Sequence, residues 1–265
     1  MVKAAEGTRR PARSSVWLER SAARGATDRR SDQPSGLDRA RITAATVRLL
    51  DAEGLAKFSM RRLAAELHVT AMSVYWYVDT KDDLLELALD AVYGEMTLPV
   101  GELGTEDWRD QLRALAAEYR SLHVRHPWVS PLTGNYLNIG PRAREFSHAV
   151  QRVVRGTGLG PQGQMGAISA VFQFVYGFGT IEGQFIRRCA NAGVSQDDYL
   201  CEALRGVNTD PELADSLKQA TGLIEAGGAE SVEEMRERDF RWALDLLISG
   251  IEVAVGAESI PPPRS

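Results

Sequence analysis

SMRRLAAELHVTAMSVYWYVDTK, residues 59–81, fits two short helices and a docking surface into little over twenty residues. Ser59 is a good N-cap, and Leu63, Ala64 and Leu67 recur at i, i+1 and i+4, so residues 60–67 are expected to form a two-turn helix with one apolar face. His68 and Val69 make the turn. Thr70 then caps a second short helix over 71–77, in which Val74 and Val78 point inward and Met72, Ser73, Tyr75 and Tyr77 face out. An ordinary solvated helix has no use for such an outward set. Aromatic hydroxyls, a small hydroxyl and a flexible apolar tip suit phosphates, base edges and thymine methyls in a major groove. The stretch therefore reads as a helix-turn-helix for double-stranded DNA.

The flanking residues brace it. Asp38 caps a helix over 39–53, where Ile42, Ala45, Leu49 and Leu50 keep one stripe and Gly54 is expected to end it in the αL conformation. A further helix starts at Lys81, with Thr80 and Asp83 spaced as a capping box, and runs through Leu84, Leu85, Ala88 and Val92 to about residue 96. It joins the reading head to the rest of the chain.

Across residues 37–96 the sequence resembles the TetR family of bacterial one-component repressors. The matching residues are LLDAEG at 49–54, MRRLAAEL at 60–67, Val69 and Thr70, SVYWYV at 73–78 and KDDLL at 81–85, and the YW pair is most similar to the tetracycline-repressor branch. The resemblance implies an all-α chain, with an N-terminal three-helix DNA-binding domain and a C-terminal helical domain for ligand binding and dimerisation. It also implies a repressor that holds a palindromic operator as a homodimer and is released by a small-molecule effector, controlling an efflux or antibiotic-related gene. Carried over residue by residue, Arg61, Met72 and Ser73 face bases, and Tyr75, Trp76 and Lys81 face phosphates, with packing against the first helix as the alternative for Trp76. Tyr77 stands where a histidine is common in this branch and Met72 where some relatives have a proline, which bears on the operator sequence.

The net charge of -5 looks wrong for a nucleic-acid binder until it is divided. Residues 1–81 hold 15 Lys/Arg against 9 Asp/Glu, net +6, and residues 82–265 hold 16 against 27, net -11. The basic third is the part fit to lie along phosphates. Residues 1–36, with eight Arg/Lys, four Asp/Glu and Val16, Trp17 and Leu18 as the apolar cluster, cannot build a core. On composition they are a disordered leader. The sharper reading is a basic arm in which Arg20, Arg24, Arg29 and Arg30 reach an adjacent minor groove, and this leader is similar to those of long-armed family members that regulate antibiotic export. The expected domains are thus an arm over 1–36, a DNA-binding domain over 37–81 and a sensor and dimerisation domain over 82–265.

In the third of these, helices are expected at 106–125, 142–155, 162–191 and 232–255. At about 100° per residue, Met165, Ile168, Phe172 and Tyr176 gather on one side of the long helix with Gly179 and Gly183, while Phe174, Phe178, Ile181 and Phe185 gather on the other. A helix apolar on two opposed faces must be covered twice. The last helix repeats the theme, with a core stripe of Phe240, Leu244, Leu247, Ile251 and Ala254 and a second line of Trp242, Leu246 and Val253 about 200° away. Two helices with surplus faces are what a symmetric four-helix interface needs.

Candidate effector contacts are His123, His126, Trp128, Asn135, Tyr136, Phe172, Gln173 and Tyr176, and their aromatic content points to a flat, partly aromatic small molecule. The sequence has no nucleophile, zinc, P-loop or dinucleotide fingerprint, so no catalytic residue, metal or cofactor is expected. Cys189 and Cys201 alone cannot form a disulfide framework. With no export signal and no apolar run of roughly 18 residues, the chain is expected in the cytoplasm. The alternatives are an activator or ligand-independent regulator of the same type and, more remotely, an all-α enzyme or binding module with no DNA role.

Overall fold

A computed structural model describes residues 15–18, 37–99, 107–208 and 231–258, and every regular element among them is helical. The chain divides into two compact units, residues 1–94 with 131–144, and residues 95–130 with 145–265.

In the first unit α1 (Arg39–Glu53) buries Ile42, Ala45, Leu49 and Leu50, and Asp38 accepts from the Arg41 amide at its start. Gly54 ends it with φ 78° and ψ 168°, a positive φ but an extended ψ, so the helix closes without the expected αL cap. A 3₁₀ turn (Leu55–Lys57) leads to α2 (Met60–Glu66) and α3 (Ala71–Tyr75). The helix α4 (Lys81–Tyr93) opens with the capping box expected of Thr80 and Asp83, both halves of it formed.

One face of α4 carries Asp82, Glu86 and Asp90 at i, i+4 and i+8, and each carboxylate meets a neutral donor. Tyr136 Oη donates to Asp82 at 3.2 Å, Ser15 Oγ to Glu86 at 2.5 Å, and the Arg142 and Ala143 amides to Asp90, both at 3.0 Å. Burial pushes the Glu86 carboxyl above the usual carboxylate range, since the Ser15 hydroxyl and a backbone amide offset the lost water only in part. Gly140 makes the Asp90 contact possible, because a Cβ there would lie 2.2 Å from Asp90 Oδ1. Four residues of the N-terminal stretch, 15–18, are thereby fastened to α4 with Val16 buried.

In the second unit α5 (Trp108–Arg125) packs along the 32-residue α8 (Pro161–Ala192). The second unit also holds α9 (Gln196–Asn208) and α10 (Val232–Glu258), while α6 (Val129–Thr133) and α7 (Pro141–Arg155) each have residues in both units. The tightest stripe of α8 is made of small residues: Ala167, Val171, Val175, Gly179 and Gly183 are buried, while Phe172 and Tyr176 beside them are half-buried. A Cβ on Gly183 would come 2.7 Å from the His123 carbonyl oxygen, so the absent side chain is what lets the two backbones meet. On α10 Val232, Phe240, Leu244, Ile248 and Ile251 are buried; Ile248 takes the place expected for Leu247.

Candidate functional site

The reading head is set by local hydrogen bonds. Ser59 Oγ accepts from the Arg62 amide and Thr70 Oγ1 from the Ser73 amide, so each short helix starts on its own cap. Leu63, Ala64, Val74 and Val78 are buried beneath, and His68 takes φ 56° to turn the chain between α2 and α3. That leaves Met72 at 70%, Tyr75 at 42% and Trp76 at 67% exposure, three large side chains presented by a helix of five residues and its C-cap. Trp76 therefore does not pack into the unit. Arg61 is exposed as expected, and Ser73 is half-buried with its hydroxyl 2.9 Å from Thr70 Oγ1.

Tyr77 corrects the sequence reading. Its hydroxyl donates to the Leu37 carbonyl at 2.6 Å, and its own carbonyl accepts from Arg39 at 2.6 and 3.1 Å, so it ties the end of the reading head to the start of α1 and does not face outward. Lys81 Nζ donates to the Phe58 carbonyl at 3.1 Å and lies 5.4 Å from the centre of the Phe58 ring. Its ammonium thus already bridges α4 to the segment just before α2. Arg20, Arg24, Arg29 and Arg30 lie outside the described residues.

In the second unit His123, Phe172 and Tyr176 come together with Tyr119 and Phe146. Ring centroids are 4.6 Å apart for Tyr119 and His123, 5.2 Å for Tyr119 and Phe146, 5.8 Å for Tyr119 and Phe172, and 5.2 Å for His123 and Tyr176. The polar links converge on Ser130. Its hydroxyl lies 2.9 Å from both His123 Nδ1 and Thr180 Oγ1, and its carbonyl accepts from Tyr176 Oη at 3.0 Å. His123 is fully buried, and loss of hydration lowers its pKa from 6.5 to about 4, so its ring is neutral at pH 7.

Five of the eight expected effector contacts are placed elsewhere. His126 Nε2 lies 2.9 Å from Glu95 Oε2, and Trp128 is buried in the core with its ring 5.7 Å from that of His126. Gln173 is exposed on α8. Asn135 is exposed and Tyr136 is bonded to Asp82, and both belong to the first unit. Burial and the nearby Asp82 carboxylate push the Tyr136 phenol well above its ordinary pKa. The i, i+4 spacing of Tyr119 and His123 could have been read from the sequence; the joining of Phe146, Ser130 and Thr180 to them is a product of tertiary packing.

The sequence left open which of the two opposed faces of α8 the chain itself covers. Within the chain the Phe174 and Phe178 rings pack on Phe240 of α10, and Phe185 packs on Tyr199. Arg120 lies 4.5 Å over Phe240 while bonding Glu182 and Glu237, so this face is already covered. Ile181, Trp242, Leu246 and Val253 remain, each at least 67% exposed. The last three fall within about 40° of one another on α10.

Two family models match. One described as "Bacterial regulatory proteins, tetR family" covers residues 42–88, and one described as "Tetracyclin repressor-like, C-terminal domain" covers residues 99–255. An HTH-type transcriptional regulator of Saccharopolyspora erythraea is 41% identical over 175 residues, 66% of this chain and 72% of that protein. The HTH-type transcriptional repressor DrrR1 of Streptomyces coeruleorubidus is 39% identical over 137 residues, 52% of this chain and 50% of that protein. Among solved structures, the Streptomyces coelicolor TetR family protein ActR in complex with actinorhodin aligns with a TM-score of 0.64 at 25% identity, over 82% of this chain and 96% of that one.

Proposed function

The chain belongs to the TetR family of DNA-binding transcription regulators, and from that premise we propose that it represses an efflux or antibiotic-related gene by holding a palindromic operator as a homodimer. It lets go when a flat aromatic small molecule enters the cluster around His123. The observation that carries the DNA part is the exposure of Met72, Tyr75 and Trp76 on α3. A cluster of exposed side chains of that size marks an interaction surface, and in a helix-turn-helix the second helix enters the major groove.

Arg61, Met72 and Ser73 take base edges in this reading, and Tyr75, Trp76 and Lys81 phosphates. The arm residues Arg20, Arg24, Arg29 and Arg30 add minor-groove and phosphate contacts. Ile181, Trp242, Leu246 and Val253 supply the surface for a second copy, and two heads then address half-sites roughly 34 to 36 Å apart. Domain roles follow: 1–36 as arm, 37–81 as reading head and 82–265 as sensor and dimer module. The likeness to ActR, a protein crystallised with actinorhodin, supports an aromatic effector.

Footprinting on the DNA flanking the chain's own gene tests this. Protection of a two-fold symmetric site overlapping a promoter, lost on adding an aromatic polyketide such as actinorhodin, is expected. No protection at low salt overturns the repressor reading, and protection that no aromatic compound relieves overturns the effector.

A further inference from the structure

The cluster around His123 holds a buried polar atom with no partner, and we infer that this atom, His123 Nε2, is the hydrogen-bonding anchor for a neutral planar effector that carries a hydroxyl or keto oxygen. The inference rests on the reading of the second unit as the sensor and names which atom does the sensing and what it selects. Nε2 belongs to a fully buried residue and has no hydrogen-bond partner among the described residues, although the other ring nitrogen is bonded to Ser130. Buried polar atoms are almost always paired. One left unpaired at the centre of a ring cluster is a place prepared for a group that arrives later.

The surroundings fix the class of that group. The rings against His123 are those of Tyr119 and Tyr176, with Phe146 and Phe172 packed on Tyr119, and its polar neighbours are the Ser130 and Thr180 hydroxyls. All of these groups are uncharged, so an ionised ligand would leave its water for no counter-charge. Flat rings edge to face with one another accept another flat ring by offset stacking.

The hydroxyl chain makes Nε2 adaptable. If Thr180 donates to Ser130 and Ser130 donates to Nδ1, Nε2 carries the proton and takes a keto oxygen. If Nδ1 donates to Ser130 and Ser130 to Thr180, Nε2 is the acceptor and takes a phenol. Either oxygen is served without a charged state.

Ser130 also gives the contact a route outward. The chain passes from the second unit to the first between Ser130 and Pro131, and the segment that begins there is the one bonded to Asp82 and Asp90 of α4. A ligand that turns the imidazole draws on Ser130, and Ser130 is covalently continuous with that segment.

The test uses three probes on the full-length protein in calorimetric titration: 2-naphthol, 2-methylnaphthalene of similar shape without the oxygen, and the anion 2-naphthoate. Wild type is expected to bind 2-naphthol about two- to tenfold more tightly than 2-methylnaphthalene, the usual range for one neutral hydrogen bond, and 2-naphthoate most weakly. H123F keeps a ring of similar size and is expected to bind the two neutral probes alike. Equal binding of the two by wild type, a preference retained in H123F, tighter binding of the anion, or no binding of 2-naphthol overturns the assignment.

Should H123F fail to fold, ring nitrogen shifts of the ¹⁵N-histidine-labelled wild type decide. 2-Naphthol is expected to move the Nε2 resonance of one buried neutral histidine, and an unmoved spectrum overturns the assignment. Operator binding is scored separately. A chain that shows the probe preference but protects no DNA sinks the repressor reading and leaves this one standing, and the converse result does the reverse.

Discussion

Tyr77 and His123 show how one side chain's surroundings decide between holding the fold and meeting a partner. The Tyr77 hydroxyl bonds the Leu37 carbonyl at 2.6 Å, so Tyr77→Phe removes one intramolecular hydrogen bond and should lower unfolding stability by about 1 kcal/mol. Operator affinity measured by fluorescence anisotropy should stay within about twofold, whereas Tyr75→Phe, at an exposed hydroxyl, should weaken it several-fold by loss of a phosphate contact. An affinity loss in Tyr77→Phe as large as that in Tyr75→Phe would return Tyr77 to the DNA face. For His123 the pKa is depressed in the fold, from 6.5 to about 4, because burial disfavours the imidazolium. The unfolded chain therefore binds a proton below pH 6.5 that the folded chain refuses until about pH 4. The neutral ring's advantage is complete above 6.5 and is lost as pH falls from 6.5 toward 4, amounting to about 2 kcal/mol at pH 5. Wild type should thus lose several degrees more in melting temperature than H123F between pH 7.5 and pH 5, and equal losses in the two proteins would show that the ring is not held neutral.

At the scale of helices the contact between α5 and α8 depends on Gly179 and Gly183. Helix propensity alone would make Gly183→Ala stabilising by about 1 kcal/mol. Its Cβ would sit 2.7 Å from the His123 carbonyl, however, which is backbone and cannot turn aside. Pushing α8 away costs about 1–3 kcal/mol, so the variant should melt lower and loosen the ring cluster that α5 and α8 build together; calorimetry showing an unchanged or higher melting temperature would contradict that close approach. The same pair shows what the sequence made legible. The caps at Asp38, Ser59, Thr70 and Thr80 could be read because a cap and its amide lie within three residues of each other. The two opposed aromatic sides of α8 were visible from period alone. What covers each side was not, because Phe240, Phe146 and Ser130 reach α8 from other elements. The period also put Gly179 and Gly183 on one of those sides, but did not show that they mark where the backbones of α5 and α8 come closest, since that depends on what packs against them. The surroundings of the other expected effector contacts were hidden for a related reason: residue type marked them as pocket material, while His126 meets Glu95, Tyr136 meets Asp82, Trp128 lies in the core, and Asn135 and Gln173 stay exposed.

For the whole molecule, a basic front and an acidic remainder on one chain leave affinity to be gained by pairing. A single helix-turn-helix grips few phosphates, whereas two heads held at a fixed spacing bind the second half-site intramolecularly and gain about 10²- to 10⁴-fold. In the proposed dimer, Trp242, Leu246 and Val253, exposed together on α10, do that holding. Leu246 is 67% exposed, so in an isolated chain Leu246→Asp is a surface change worth no more than about 0.5 kcal/mol either way. In a dimer it places a carboxylate in an apolar seam, twice by symmetry, with no counter-charge. Sedimentation should therefore find wild type as a dimer and Leu246→Asp as a folded monomer with unchanged helical circular dichroism, and its affinity for a palindromic operator should fall at least about 100-fold, close to that of wild type for a single half-site. A variant that stays dimeric, or a monomer that binds the palindrome as tightly as wild type, would show that the second copy docks on another face or that one head is enough.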